Sequence, residues 1–240
     1  MQPNIYNFFK FLNQKEQRPI PFKVKLLNAP ETLTPQELDV KGNLNLRKTK
    51  ITSLPEGLTV RGFLDLFNTP ITSLPKGLKV EGSLYLVNTK ITSLPDDLNV
   101  NLNVKGNLNL YKTPITSLPE GLTVGGSLNL QNTLITSLPE GLTVGGDLDL
   151  KNTKITSLPE GLIVGGNLLL KNNLITSLPE GLTVGSYLDL ENCKNLTSLP
   201  KGLTVGGSLY LRNTPLAKQT DEEIKAMIGS NGYINGKILR

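Results

Sequence analysis

The stretch GSLNLQNTLITSLPEGLTVG, residues 126–145, decides the fold, because near-copies of it fill most of the 240-residue chain. Its centre, Ile-Thr-Ser-Leu-Pro, begins at Ile51, Ile71, Ile91, Ile115, Ile135, Ile155 and Ile175, with a variant at Leu196 and a faint echo at Leu216. The steps are 20, 20, 24, 20, 20, 20, 21 and 20 residues. Such a fixed period is the mark of a repeat array, which grows in one dimension and counts as one elongated domain.

Each unit also carries a Leu-x-Leu step, nine in all from Leu44/Leu46 to Leu209/Leu211. Side chains alternate along a strand, so both leucines of a step face one side. Three residues after the second leucine stands a small polar residue, namely Thr49, Thr69, Thr89, Thr113, Thr133, Thr153, Asn173, Cys193 and Thr214. Thr, Asn and Cys share the position because each is small and can hydrogen-bond backbone groups of its own and adjacent coils. An apolar residue and then Leu-Pro follow. Prolines such as Pro55 and Pro119 fix φ and lack a donor, so they suit an irregular extended segment rather than a helix. Glycines such as Gly125 and Gly126 suit a tight corner.

The pattern L-x-L-x-x-N/C-x-L resembles the leucine-rich repeat. The resemblance spans residues 38–216. It is nearest to the short, Pro-containing class found in bacterial secreted effectors and in bacterial and phage proteins of unassigned role. It implies a mainly β repeat solenoid, a curved rod with a parallel sheet on its concave face and small helical caps. One departure concerns the other side of the coil: Val60, Val80 and Val124 stand four residues before the strand leucine, not three. A second short strand at Leu-Thr-Val, if it stacks regularly, makes the alternative a parallel β-helix with ~20 residues per coil. In both folds the coils stack about 4.8 Å apart, giving a rod on the order of 45 Å long.

A solenoid must cover its apolar ends. Residues 1–37 read as an N-terminal cap. Ile5, Phe8, Phe9 and Leu12 stand at helical spacing and predict a capping helix; the lesser reading is a helix for a membrane surface or a partner. Residues 19–41 look like a degenerate coil, with Pro30-Glu31 echoing Leu-Pro-Glu and Leu38/Val40 echoing Leu-x-Val. Residues 217–240 read as a C-terminal cap. Thr220 with Glu223 forms a capping box ahead of a short helix carrying Ile224, Met227 and Ile228. Asn235-Gly236 is the dipeptide of a two-residue hairpin turn. The stretch Leu98 to Gly106 carries four extra residues, expected to be an alternating segment that bulges or kinks the rod as a tolerated insertion, with the shaping of a binding surface as the lesser reading.

Chemistry is hard to place in this chain. With no histidine, the commonest general base and metal ligand is missing. Cys193 occupies the turn column and has no activating partner in view. The Gly-Gly corners match no phosphate-binding fingerprint. The column Glu56, Asp96, Glu120, Glu140, Glu160 and Glu180, interrupted by Lys76 and Lys201, reads as a solvated surface. Some members of the resembling class carry a ligase domain with a catalytic cysteine, but the flanks here are too short for one. No enzymatic activity, metal or cofactor is therefore expected.

The net charge is +5, but residues 42–215 hold fifteen Lys+Arg against thirteen Asp+Glu. No basic stripe emerges, which argues against nucleic acid as a partner. No apolar run approaches the ~18 residues needed to span a bilayer, and no secretory signal is visible at the start. The expectation is a cytoplasmic protein without a membrane partner, with signal-independent export or incorporation into a virion left open.

Function should lie where the repeats vary. The residues flanking the strand leucines point away from the core. Between residues 40 and 215 the six aromatics are Phe63, Phe67, Tyr85, Tyr111, Tyr187 and Tyr210, and all fall on this outward face. Phe63, Phe67, Tyr85, Val87 and Tyr111 should form one patch, with Asp65, Asn109, Asp149 and Asp189 as polar neighbours on the same face. Exposed aromatic patches usually mark a partner, although aromatics also favour strands for structural reasons. The reading is a non-enzymatic protein-interaction module, expected to be a monomer, that binds a protein through its concave face. The alternatives are a structural component of an assembly such as a virion, in which the chain self-associates, and a carbohydrate-binding surface.

Overall fold

The computed structural model describes residues 5–16, 18–95 and 106–240. The extra segment before Gly106, and Asp96 of the acidic column, lie outside these residues.

Among the described residues, the coils contribute two short strands each, on either side of a corner, except around the segment 96–105. The Leu-x strands stack into one ten-stranded parallel sheet: β2 (Leu44–Asn45), β4 (Leu64–Asp65), β6 (Leu84–Tyr85), β7 (Leu108–Asn109), β9 (Leu128–Asn129), β11 (Leu148–Asp149), β13 (Leu168–Leu169), β15 (Leu188–Asp189), β17 (Leu209–Tyr210) and β19 (Ile238–Leu239). Register is strict, with Leu64 opposite both Leu44 and Leu84. A one-residue slip would turn every leucine outward, so burial itself fixes this register.

The second strand does stack regularly. β1 (Asp39–Val40), β3 (Thr59–Val60) and β5 (Lys79–Val80) form one parallel sheet. A second holds β8 (Thr123–Val124), β10 (Thr143–Val144), β12 (Ile163–Val164), β14 (Thr183–Val184), β16 (Thr204–Val205) and β18 (Tyr233–Ile234). Leu38/Val40 thus takes the place of Leu58/Val60, as its echo predicts. The corner between the sheets is set by close packing. A Cβ on Gly165 would lie 2.2 Å from the carbonyl oxygen of Gly145 one coil away. The Ile-Thr-Ser-Leu-Pro stretch forms no strand among the described residues, because each proline removes a ladder donor.

The core is one continuous aliphatic column. Among the described residues from Leu44 to Val205, the paired leucines, the Ile of Ile-Thr, the Leu of Leu-Pro and the Val of Leu-x-Val are buried. No aromatic ring enters it among the described residues.

The ends depart from expectation in two ways. The first helix, α1 (Ile5–Glu16), forms as predicted but is not the cap. Ile5, Phe8 and Phe11 stay exposed, at 55%, 56% and 50%. The cap is α2 (Phe22–Asn28), which buries Leu26 against the core and packs Phe22 on it. Lys23 Nζ also donates to the carbonyl of Asn45 at 2.7 Å, on the outermost strand of the ten-stranded sheet. Residues 22–28 are therefore helical rather than part of a degenerate coil.

The second departure concerns the Asn235-Gly236 hairpin, which does not form. Tyr233–Ile234 pairs parallel with Thr204–Val205, and Ile238–Leu239 pairs parallel with Leu209–Tyr210. Asn235-Gly236 fills the corner that Gly-Gly fills elsewhere. The segment Tyr-Ile-Asn-Gly-Lys-Ile-Leu is a tenth pass of the same coil. The parallel edges hold both strands: the N–H groups of Tyr233 and Asn235 donate to Leu203 and Val205, and those of Leu209 and Leu211 donate to Lys237 and Leu239. The helix before it, α3 (Asp221–Ile228), carries the predicted capping box on Thr220 and Glu223 and buries Ile224 and Ile228.

Candidate functional site

The outward face of the ten-stranded sheet is ordered by four side-chain columns. The turn column comes first. Thr69, Thr89, Thr113, Thr133, Thr153 and Thr214 are buried, Thr49 is half-buried, and each hydroxyl donates to the carbonyl three residues earlier. Asn173 binds two coils at once, donating to the carbonyls of Leu150 and Leu170. The Cys193 thiol donates to the Leu170 carbonyl at 3.1 Å. Burial pushes that thiol up to about 11, so it is a neutral donor and not a nucleophile.

The residue before this column has positive φ throughout the described turns, from Lys48 to Asn213. Asn holds seven of the nine places, because its short amide tolerates that conformation. These amides form a second ladder: Asn192 Nδ2 donates to Asn172 Oδ1 at 2.8 Å, and Asn213 to Asn192 at 2.9 Å. Sequence reasoning missed this ladder, although the recurring Asn-Thr pair signals it.

The third column is the middle residue of Leu-x-Leu. Oδ1 of Asn45, Asp65, Asn109, Asn129, Asp149 and Asp189 accepts the backbone N–H two residues on. Four of these, Asp65, Asn109, Asp149 and Asp189, are candidate partner contacts from the sequence. Each spends Oδ1 on ending its own strand, and the second oxygens of Asp65 and Asp149 are held by Arg47 and Lys151. Asp65 also pairs with Arg47 at 3.2 Å. Burial raises the Asp189 carboxyl above the usual carboxylate range, opposed by its bond from Glu191.

The fourth column precedes the first strand leucine. Asn43, Ser83, Asn107, Ser127, Asp147, Asn167 and Ser208 each accept the backbone N–H of the equivalent residue on the next coil. Phe63 and Tyr187 stand in this column without an acceptor near the backbone, since Phe has none and the Tyr hydroxyl lies at the far end of its ring. Their rings instead meet tyrosines on the adjacent coil. Phe63 meets Tyr85 edge-on at 6.1 Å, and Tyr187 meets Tyr210 at 5.5 Å. Tyr85 and Tyr210 occupy the middle column, so they forgo its strand-ending bond as well.

The predicted patch is contiguous in space. Phe63, Asp65, Phe67, Tyr85, Val87, Asn109 and Tyr111 line one groove of about 630 Å³ with Arg47, Asn129 and Gln131. The Arg47 guanidinium lies 4.3 Å from the centre of the Phe67 ring, and all four rings are half-buried. Asp149, Tyr187, Asp189 and Tyr210 lie outside this groove, further along the same face. There the charges pair locally, Lys151 with Asp149 at 3.1 Å and Lys171 with Glu191 at 2.6 Å. The groove presents ring and aliphatic surface, amide groups, two phenol hydroxyls and the Arg47–Asp65 ion pair.

No protein-family model matches the chain, and no curated protein matches it. Among solved structures 25 chains match. One is YopM from Yersinia enterocolitica WA-314, at a TM-score of 0.57 and 19% sequence identity, with 100% of this chain and 55% of that chain covered. The chain thus spans about half the length of that protein. At this identity the likeness concerns the fold: a leucine-rich-repeat solenoid of mainly β structure, here with a second row of strands behind the corner.

Proposed function

We propose that this leucine-rich-repeat solenoid is a non-enzymatic interaction module that binds a protein partner through its concave sheet face, at the groove around Phe63, Phe67, Tyr85 and Tyr111. One observation carries the reading. At Phe63 and Tyr85 the chain gives up a hydrogen bond that neighbouring coils make, and exposes aromatic surface instead. A net hydrogen bond is worth about 0.5–1.5 kcal/mol. The edge-to-face contact of the two rings offsets part of that cost, at about 0.5–1.5 kcal/mol, so folding gains little from the exchange while apolar ring surface is left exposed in the groove. Rigid rings gathered in a groove are the usual anchors of a protein interface. The buried, unpaired thiol of Cys193 suits a reducing compartment, so the cytoplasm is the proposed place of action.

The test is capture from lysate with the native protein and with Phe63→Ser/Tyr85→Ser/Tyr111→Ser, both shown to be folded by circular dichroism. A partner held by the native protein and lost by the folded variant supports the groove as the site. Capture of the same partner by both, or self-association of the native protein in place of capture, would move the assembly reading ahead.

A further inference from the structure

The amides of the sheet groove are turned one way. Asn109 and Asn129 line it half-buried, and Oδ1 of each accepts a backbone N–H, from Tyr111 at 3.1 Å and from Gln131 at 3.0 Å. A backbone N–H can meet only the oxygen of an amide, so these bonds settle the orientation of both side chains. Each Nδ2 is left as a donor on the groove side. Among the lining residues the charged pair is Arg47 and Asp65, which meet each other at 3.2 Å. The groove therefore suits an uncharged ligand with apolar surface for the rings and acceptors for two amide donors. An ordinary extended peptide brings an N–H with every carbonyl, and neither asparagine has an oxygen left to receive it. Proline brings a carbonyl without an N–H and an apolar ring beside it.

The spacing agrees. Phe67, Val87 and Tyr111 follow one another on successive coils, the Asn68 N–H meeting the Val87 carbonyl and the Asn88 N–H the Tyr111 carbonyl. Strands of a sheet lie about 4.8 Å apart, so Phe67 and Tyr111 recur at about 9.6 Å. A polyproline II helix turns once in three residues at about 3.1 Å each, or about 9.3 Å per turn. Prolines three apart on one edge of such a helix would meet Phe67 and then Tyr111. The helix makes no hydrogen bonds of its own, so its carbonyls are free for the two amides. From Arg47 to Gln131 the groove crosses five coils, a length of about 19 Å that holds about six residues of this helix.

We infer that the groove takes a proline-rich segment of the partner in the polyproline II conformation. The segment runs along the rod axis, with proline rings against Phe67 and Tyr111 and carbonyls on Nδ2 of Asn109 and Asn129. This inference rests on the groove being the binding site, as proposed above, and adds the chemistry of what binds there.

The test is fluorescence anisotropy of the full chain with a labelled decaproline, which presents every three-residue register, and with a Gly-Ser peptide of equal length. Decaproline is expected to bind, and the Gly-Ser peptide at least about tenfold more weakly. Tyr111→Ala should lose about tenfold or more, as the loss of an anchoring ring does. Asn129→Asp keeps the oxygen that ends the strand and turns the groove-side donor into an acceptor. It should lose about tenfold in binding with its melting temperature unchanged. The inference is overturned if decaproline does not bind, if the Gly-Ser peptide binds as tightly, or if either variant binds decaproline as the native protein does. Lysate capture tells its failure from that of the groove itself. A partner held by the native protein and lost by the folded triple variant, with no binding of decaproline, overturns the proline-rich ligand and leaves the groove as the site. Capture unaffected by the triple variant, again with no binding of decaproline, overturns both.

Discussion

Phe63 occupies a column whose members, Tyr187 apart, accept hydrogen bonds elsewhere, and its ring stands edge-on to Tyr85 at 6.1 Å on the next coil. One coil earlier, Asn43 in the same column accepts the Phe63 N–H at 3.0 Å. The aromatic pair and the hydrogen bond are thus alternatives at one place in the repeat.

Phe63→Asn restores the acceptor and should be nearly neutral for stability. The regained bond, about 0.5–1.5 kcal/mol, offsets the lost edge-to-face contact, about 0.5–1.5 kcal/mol. Partner capture should fall sharply. Thermal unfolding with capture in parallel checks this. A large drop in melting temperature would mean that the ring is there for the fold.

Asn129→Ala removes an outward-facing side chain, yet it should cost about 1 kcal/mol, because Oδ1 ends the strand by accepting the Gln131 N–H at 3.0 Å. Asn129→Asp keeps that acceptor and should lie within a few tenths of native. Urea unfolding of both variants separates this account from one in which the column only meets a ligand.

Two glycines of one coil should respond differently to alanine. A Cβ at Gly161 meets nothing within 4 Å, so the cost is that of a positive φ of 68° alone, about 1–2 kcal/mol. At Gly165 the Cβ would stand 2.2 Å from the Gly145 carbonyl oxygen, and the corner must open. Gly165→Ala should be the more damaging by at least about 1 kcal/mol. Equal melting temperatures for the two would contradict the packing argument.

Cys193 gives a pH prediction with a definite sign. Its thiol ionises near 9.0 when unhindered, and burial pushes it up to about 11 in the fold. Between these values the unfolded chain releases a proton that the folded chain keeps, so stability falls as pH rises. The slope is up to about 1.4 kcal/mol per pH unit. Cys193→Thr, which places at 193 the hydroxyl found in seven of the nine turns, should lack this component. Unfolding in urea from pH 8 to 10.5 compares the two. In the native state the thiol should also resist Ellman's reagent until the chain unfolds.

The repeat unit was legible in the sequence because a solenoid makes its contacts between equivalent residues. Leu64 meets Leu44 and Leu84, so a period of 20 residues states both the register and the core. The same periodicity put six aromatics on one face, and alternation along the strand told which face that is. Local signals were less reliable where a tertiary edge competed with them. Asn235-Gly236 carries a strong hairpin preference, yet the parallel edges of Thr204–Val205 and Leu209–Tyr210 captured the strands on either side of it. The helix at Ile5 was visible in its spacing, but whether it or α2 closes the rod depended on which one reaches Leu44 and its neighbours. The roles of Asp65, Asn109, Asp149 and Asp189 lay beyond the sequence for a similar reason. Alternation shows that these side chains point outward. Only the backbone turn that follows each strand brings an N–H within reach of Oδ1 and makes part of the polar face structural. The sequence by itself determined the coil, its stacking and the aromatic face. The tertiary structure decided the ends and the division of the outward face between hydrogen-bond columns and the groove, because those depend on which of several chemically equivalent partners is nearest in space.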